Sequence, residues 1–233
     1  MECIILAGGM GTRLRSIVSN VPKCMAPVAG KPFLHYQFET LEKIGFTHVI
    51  LSLGYKHQIV EDWISSLETK LQITPIVESQ PLGTGGGIRL SLTYATEPNV
   101  FILNGDSFLR VDFEKMMKLH TSTNAIATLA LKEMHNFDRF GLVKLNSSHQ
   151  ITAFKEKRFC HSGLINGGIY ILQKNALNDF PEKFSLEHDF FEKKVEEEFF
   201  AGFITSGYFT DIGTPEDYEK AQFVFSKFNQ LIG

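Results

Sequence analysis

The first apolar run, Cys3 to Ala7, has no polar alternation and stops at a glycine-rich turn, a pattern that predicts a strand buried on both faces. Residues 31–45, KPFLHYQFETLEKIG, change to helical spacing: Pro32 sits in the first turn, Leu34, Phe38 and Leu41 share a stripe, and Gly45 supplies a stop. The alternation then repeats. A strand is predicted at 47–54, a helix at 55–70, a strand at 71–79, a glycine-entered helix at 83–96 and a strand at 99–104 that runs into Gly105 and Asp106. Strands separated by helices imply an α/β fold, a Rossmann-like, mostly parallel sheet flanked by helices on both faces. From about residue 125 the pattern becomes strand-rich, with apolar runs at 125–134, 141–146, 151–157, 164–172 and 200–207 and an amphipathic helix expected at 185–199. A closing helix at 214–232 begins with Thr214 as N-cap, Pro215 at the first helical position and acids in the first turn. No repeat or linker-like tract interrupts the chain. Residues 1–233 are therefore expected to form a single domain, with 1–124 as a first half and 125–233 as an extension of its sheet.

Composition narrows the field of functions. Hydrophobic residues make up 43% and charged residues 21% of the 233, ordinary for a globular protein, and the 21 phenylalanines imply an aromatic core. A net charge of -3 offers no broad positive field for nucleic acid or an anionic membrane surface. No secretion signal and no apolar stretch near 18 residues is visible, so a cytoplasmic location is expected. Three scattered cysteines without CxxC spacing argue against a disulfide framework and a zinc site.

The turn after the first strand, LAGGMGTRL at residues 6–14, has the glycines of a phosphate-binding loop but neither of the two familiar patterns. GxGxxG fails at Leu14, and GxxxxGK[ST] fails because Gly30 and Lys31 are preceded by Met25 and followed by Pro32. Four further segments fall near predicted strand ends: PKCMAPV (22–28), PLGTGGG (81–87), NGD (104–106) and DIGTP (211–215). In open α/β sheets ligands bind outside the carboxyl ends of the strands, so this clustering is a site signal. Taken one at a time, each has a plainer reading. Asp106 and Asp211 could be turn residues, Lys23 a solvated surface charge, Glu156 and Lys157 an exposed pair, and Asn166–Gly167 a tight hairpin turn.

The order and spacing of GGMGTRLRSIVSNVPKCMAPVAGKP, Gly8 to Pro32, resemble the signature of the sugar nucleotidyltransferases, which join a nucleoside triphosphate to a sugar 1-phosphate and release pyrophosphate. The resemblance spans nearly the whole chain. It implies that the loop Leu6, Ala7, Gly8, Gly9, Gly11 and Thr12 cradles the triphosphate, that Arg13 holds the leaving pyrophosphate, and that Lys23 faces the α-phosphate. It also implies a nucleotide-contacting set at Glu78, Pro81, Gly83, Thr84 and Gly105, and a Mg²⁺ ion shared by Asp106 and Asp211. The sugar phosphate would be met by Gly141, Glu156, Lys157, Asn166 and Gly167, although Arg158 stands where the family usually has a proline after its Glu-Lys pair.

The implied chemistry suits these residue types. In-line attack on the α-phosphorus brings two polyanions together, so positioning and charge cancellation dominate. A phosphomonoester, with its second pKa of about 6, needs no strong base at neutral pH, and the eight histidines are left to structural roles. Within the family, GTRLRSIVSNVPKCMAPVAGKPFL and PLGTGGGI are similar to the heptose 1-phosphate guanylyltransferases, which implies GTP and a heptose 1-phosphate as substrates and a homodimer as the assembly. A guanine pocket needs one more acceptor than a uracil pocket, a place Glu78 or a nearby carbonyl could fill. Alternatives are a uridylyltransferase, a mannose 1-phosphate guanylyltransferase and a non-catalytic nucleotide-sugar sensor.

Overall fold

A computed structural model describes residues 1–9, 14 and 17–228. Strand β1 (Glu2–Leu6) carries the first apolar run and is followed by a 3₁₀ turn (Lys23–Met25) and a minimal hairpin of β2 (Pro27–Val28) and β3 (Lys31–Pro32). Helix α1 (Phe33–Ile44) ends at Gly45, whose φ of +93° is the left-handed cap for which glycine carries no Cβ penalty. Next come β4 (His48–Leu53), α2 (His57–Ser65), β5 (Gln72–Val77), α3 (Gly83–Leu92) and β6 (Asn99–Asn104). β7 (Ser107–Leu109) and α4 (Phe113–Thr123) complete the first half, and the second half opens with β8 (Ala127–Phe137), β9 (Leu142–Leu145) and β10 (Ile151–Lys155). It closes with β11 (Cys160–Gln173), β12 (Phe200–Thr205), β13 (Phe209–Asp211) and α5 (Pro215–Phe225).

Strands β6, β1, β4 and β5 lie side by side and parallel. Leu6 is opposite both Ser52 and Asn104, so three strands finish level at their carboxyl ends. The second half joins the same nine-stranded sheet through β11, which runs antiparallel beside β6, with β8 on its other edge, β12 beyond β8, and β9 and β10 paired along its first half. The expected mostly parallel sheet is present, with the antiparallel strands confined to the second half.

Alternate residues of β1 point to opposite layers. Cys3 and Ile5 join Phe38, Leu41, Val60 and Met116 from α1, α2 and α4, whereas Ile4 joins Ile88 and Leu92 of α3. Helices thus cover both faces, as the unbroken apolar strands require. Phe46, Phe101 and Phe113 meet edge to face with centroids 5.2–5.4 Å apart, which explains part of the phenylalanine content.

Several element boundaries differ from the sequence reading. Helix α2 stops at Ser65 rather than 70, where the Ser65 and Ser66 hydroxyls donate to the carbonyls of Asp62 and Trp63 and offer the backbone an alternative to the next helical turn. The helix expected at 185–199 is a π-helical turn, Leu186–Glu192, whose wider winding lets the consecutive Phe190 and Phe191 both reach the core with Leu186. Asn166–Gly167 is no hairpin turn. It lies inside β11, where the register against β8 shifts between Asn166 and Tyr170. The closing helix is described to Phe225, with Thr214 capping Asp217 as its sequence suggested. No helix among the described residues is long and apolar enough to cross a membrane.

Two buried polar groups make the fold acid-sensitive. Glu2, 5% exposed, accepts from the backbone N–H groups of Thr96 (2.7 Å) and Glu97 (2.8 Å), the Thr96 hydroxyl (2.7 Å) and His48 Nδ1 (3.0 Å). Burial raises its pKa, but these bonds together outweigh burial and hold the carboxyl at about 2. Burial lowers His120 to about 4. The unfolded chain therefore takes up protons first, below 6.5 at His120 and below 4.5 at Glu2, and both contributions to stability are lost as pH falls through those windows. Urea unfolding should show Glu2→Gln less stable by about 2 kcal/mol at pH 7, with the gap narrowing by pH 3. Equal stability at pH 7 would contradict this role for Glu2.

Candidate active site

The level strand ends create the site. The 3₁₀ turn that follows the first loop is fixed by burial of Cys24 and Met25, and the Cys24 thiol donates to the Ala7 carbonyl (3.7 Å to sulfur) at the end of β1. Burial pushes that thiol up to about 12, so Cys24 is a packing residue. Lys23, the first residue of the turn, is thereby held over the strand ends. Its Nζ lies 2.6 Å from Asp106 Oδ2, with the lysine side chain only 12% exposed and the aspartate 42%.

Asp106 follows β6 in a tight turn, where Gly105 donates to the Leu6 carbonyl at 2.9 Å and a Cβ in its place would come within 2.5 Å of that oxygen. The turn is pinned from α1 by Gln37, whose Nε2 donates to the carbonyls of Asn104 and Ser107, both at 2.8 Å. Strand β13 pairs antiparallel with β7, placing Asp211 opposite Ser107. The adjoining Ile212 N–H donates to the Asp106 carbonyl at 3.0 Å. Two carboxylates 105 positions apart in sequence are so brought to one lysine. Burial pushes the Asp211 carboxyl above its ordinary range, as does Asp217, against the pull of the Gly213 N–H (2.9 Å), Arg139 and Lys23.

Asp211 also lines a cleft of about 280 Å³ together with Gly141, Glu156, Lys157, Asn166 and Arg139. Four of the five residues expected on the sugar side therefore share one cavity with an expected metal ligand. The fifth, Gly167, is packed against Leu109 and the Ala130 carbonyl. Asn166 donates to the Tyr170 hydroxyl (3.0 Å) and accepts from Gly168 N–H (3.0 Å), while Gly168, at φ +76°, abuts Ser107 and Asn104. The bulge in β11 is what brings this segment against the Asp106 turn.

Residues 2–226 match the nucleotidyl transferase family. The chain is 49% identical over 224 residues to the D-glycero-alpha-D-manno-heptose 1-phosphate guanylyltransferase of Aneurinibacillus thermoaerophilus, covering 95% of this chain and 97% of that one. The chain belongs to the nucleotidyl transferase family. An enzyme of the same name from Campylobacter jejuni is 43% identical over 220 residues, covering 94% of this chain and 97% of its own. The crystal structure of HddC from Yersinia pseudotuberculosis complexed with GMP-PN superposes with a TM-score of 0.85 at 36% identity, over 96% of this chain and 99% of that one.

Other family positions are distributed as follows. Leu6, Ala7, Gly8 and Gly9 lie at and just beyond the end of β1, while Gly11, Thr12 and Arg13 lie outside the described residues. Glu78 follows β5, and both its oxygens are engaged: Oε1 accepts from Ser52 at 3.3 Å and Oε2 from the Leu82 N–H at 2.9 Å. Pro81 is exposed between them and α3. In PLGTGGG, a Cβ at Gly83 or Gly86 would strike the carbonyl oxygens of Phe184 and Glu182, and one at Gly85 the Phe184 ring. Their smallness admits the 182–184 segment. Thr84 accepts from the Leu186 N–H (2.9 Å) and donates to Glu187 (2.8 Å), tying α3 to the π-helical turn.

Sequence reasoning missed Arg139 and Gln37. Arg139 Nη1 is 2.6 Å from Asp217 and its Nη2 is 3.9 Å from Asp211, so it ties the first turn of α5 to the cleft. Both partners are more than 70 positions away, beyond the reach of any local pattern. Gly213 was visible only as part of DIGTP. A Cβ built on it lies 3.0 Å from Asp211 Oδ1 and 3.6 Å from Lys23 Nζ. Gly213→Ala should leave the unfolding midpoint nearly unchanged yet lower turnover, read as pyrophosphate release, by at least about tenfold through displacement of these groups. Unaltered turnover would show that this spacing is not critical.

Proposed function

We propose that this chain transfers the guanylyl group of GTP to D-glycero-α-D-manno-heptose 1-phosphate, forming the GDP-heptose and pyrophosphate. The meeting of Lys23, Asp106 and Asp211 at the strand ends carries the reaction class. The likeness to guanylyltransferases over nearly their full length supports the substrates. The two halves of the chain, 1–124 and 125–233, would serve nucleotide and sugar phosphate within a single domain, since β6 and β11 join them in one sheet.

The half-exposed Asp106 and the adjacent Asp211 are hard oxygen donors, and Mg²⁺ is commonly held by one or two carboxylates completed by phosphate oxygens and water. The donor set thus fits that ion, which when bound would neutralise phosphate charge. In this reading Lys23 turns its ammonium from Asp106 toward the α-phosphate as charge gathers there. Arg13 holds the departing pyrophosphate. Lys157 and Arg139 supply positive charge on the cleft side, where the attacking phosphate enters, and Glu156 and Asn166 bond the sugar hydroxyls. The attacking phosphate oxygen is already anionic, so no residue is assigned as a general base.

Pyrophosphate release should be measured for four nucleoside triphosphates against heptose, mannose, glucose and N-acetylglucosamine 1-phosphates. GTP with the heptose is expected to lead in kcat/KM. A best result with UTP, or mannose favoured over heptose by more than about tenfold, roughly 1.4 kcal/mol, would overturn the substrate assignment. Release with no pair, alongside binding of a GDP-sugar, would mark a sensor rather than an enzyme. Lys23→Ala, Asp106→Asn and Asp211→Ala should each lower turnover by roughly 10² or more, and near-normal rates in both aspartate variants at limiting Mg²⁺ would remove the metal role.

A further inference from the structure

A second, larger cleft of about 840 Å³ lies at the opposite edge of the sheet, where β6 begins and β11 ends. Asn99 and Gln173 pair at its floor. Its walls come from the last turns of α3, the Asn124 cap of α4 and the turn at 174–178. The six-residue length of β6 separates it from the Asp106 turn by roughly 17–20 Å, so the two sites do not overlap.

Charge is distributed unevenly in this cleft. It is lined by Arg89 and Lys174, both half-buried, and by no aspartate or glutamate. Arg89 Nη1 donates to the Phe180 carbonyl and Lys174 Nζ to the Ala95 carbonyl at 2.5 Å, but among the described residues neither cation has a carboxylate within ion-pairing distance. Glu2, which approaches from behind Thr96, has both oxygens occupied by Thr96, Glu97 and His48. Two half-buried cations that line one cleft from different walls, with no carboxylate among the lining residues, give it a local positive field that would attract an anion. Each main-chain anchor uses one donor of its head group, and guanidinium and ammonium groups carry several.

The carboxamides define the remainder of a ligand. Asn99 Oδ1 faces His120 Nε2 at 3.1 Å, and Gln173 Nε2 donates to Ala125 at 3.1 Å. Asn124, Asn175 and Asn178, by contrast, stand at the rim, where each can both donate to and accept from hydroxyl groups. The volume falls in the range of small-molecule sites.

We propose that this cleft is a second binding site, for a phosphate-bearing polyhydroxy ligand whose anionic group is held by Arg89 and Lys174 and whose hydroxyls meet the rim asparagines. The test is nuclear magnetic resonance of the ¹⁵N-labelled full chain, titrated without divalent metal with inorganic phosphate, GDP and GDP-mannose in separate arms. Saturable shifts are expected at the side-chain amides of Asn124, Asn175 and Asn178, in addition to any at residues 104–107. Phosphate alone moving them would indicate that the anion suffices, and shifts with only the larger probes would indicate that the hydroxyls are required. The Arg89→Gln, Lys174→Gln double variant should lose these shifts. Asn178→Asp alters only an exposed rim residue and should weaken them at least fivefold even if the double variant folds poorly. No saturable cleft shift with any of the three probes, or shifts of unchanged affinity in Asn178→Asp, would overturn the proposal.

Discussion

An ammonium group as enclosed as that of Lys23 needs a counter-charge, and Asp106, 2.6 Å away, supplies it at the one edge of the sheet where three parallel strands finish level. The local architecture around the site follows from holding that pair. Cys24 ties the lysine's turn to the end of β1, Gln37 fixes the aspartate's turn from α1, and the pairing of β7 with β13 brings Asp211 alongside. One ammonium and two carboxylates leave the cluster with a negative balance, so in the proposed reaction a divalent cation on the carboxylates would be needed to receive phosphate oxygens.

The second half of the chain acts on this edge from one direction. Because β11 runs antiparallel to β6, its bulged middle segment arrives beside the Asn104–Ser107 turn just where β6 ends. The cleft bounded by Glu156, Lys157, Asn166 and Arg139 is thereby contiguous with Asp211. Arg139 and Thr84 have related structural tasks, the first joining α5 to the cleft and the second joining α3 to the π-helical turn. Helices α5 and α3 are therefore both braced by contacts across more than 70 positions of sequence.

Much of the parallel half was legible because β1, β4 and β6 are covered on both faces and so read as largely apolar runs, while Gly45 announced a helix end through its own chemistry. Lys23, Asp106 and Asp211 could be singled out through the resemblance to a known family, although their contact depends on β7 and β13, three-residue strands too short to show any periodicity. The glycines at 83, 85 and 86 illustrate a different limit. Their small size is visible in sequence, but the groups they admit, Glu182 and Phe184, are tertiary neighbours about a hundred positions away. Likewise, the neighbouring Phe190 and Phe191 gave no sign that the backbone would widen to bury both.

The central claim is that Asp106 and Asp211 act as one unit beside Lys23, and Mn²⁺ binding followed by electron paramagnetic resonance tests it most directly. Affinity would be compared, in the presence of GTP, for the wild-type chain, Asp106→Asn, Asp211→Asn and the double variant. The account predicts that each single change weakens Mn²⁺ by at least about tenfold and that the double variant is weaker than the worse single variant by no more than about twofold, the strong coupling expected of two groups in one site. Affinity unchanged in either single variant, or a double loss equal to the product of the two single losses, would contradict it.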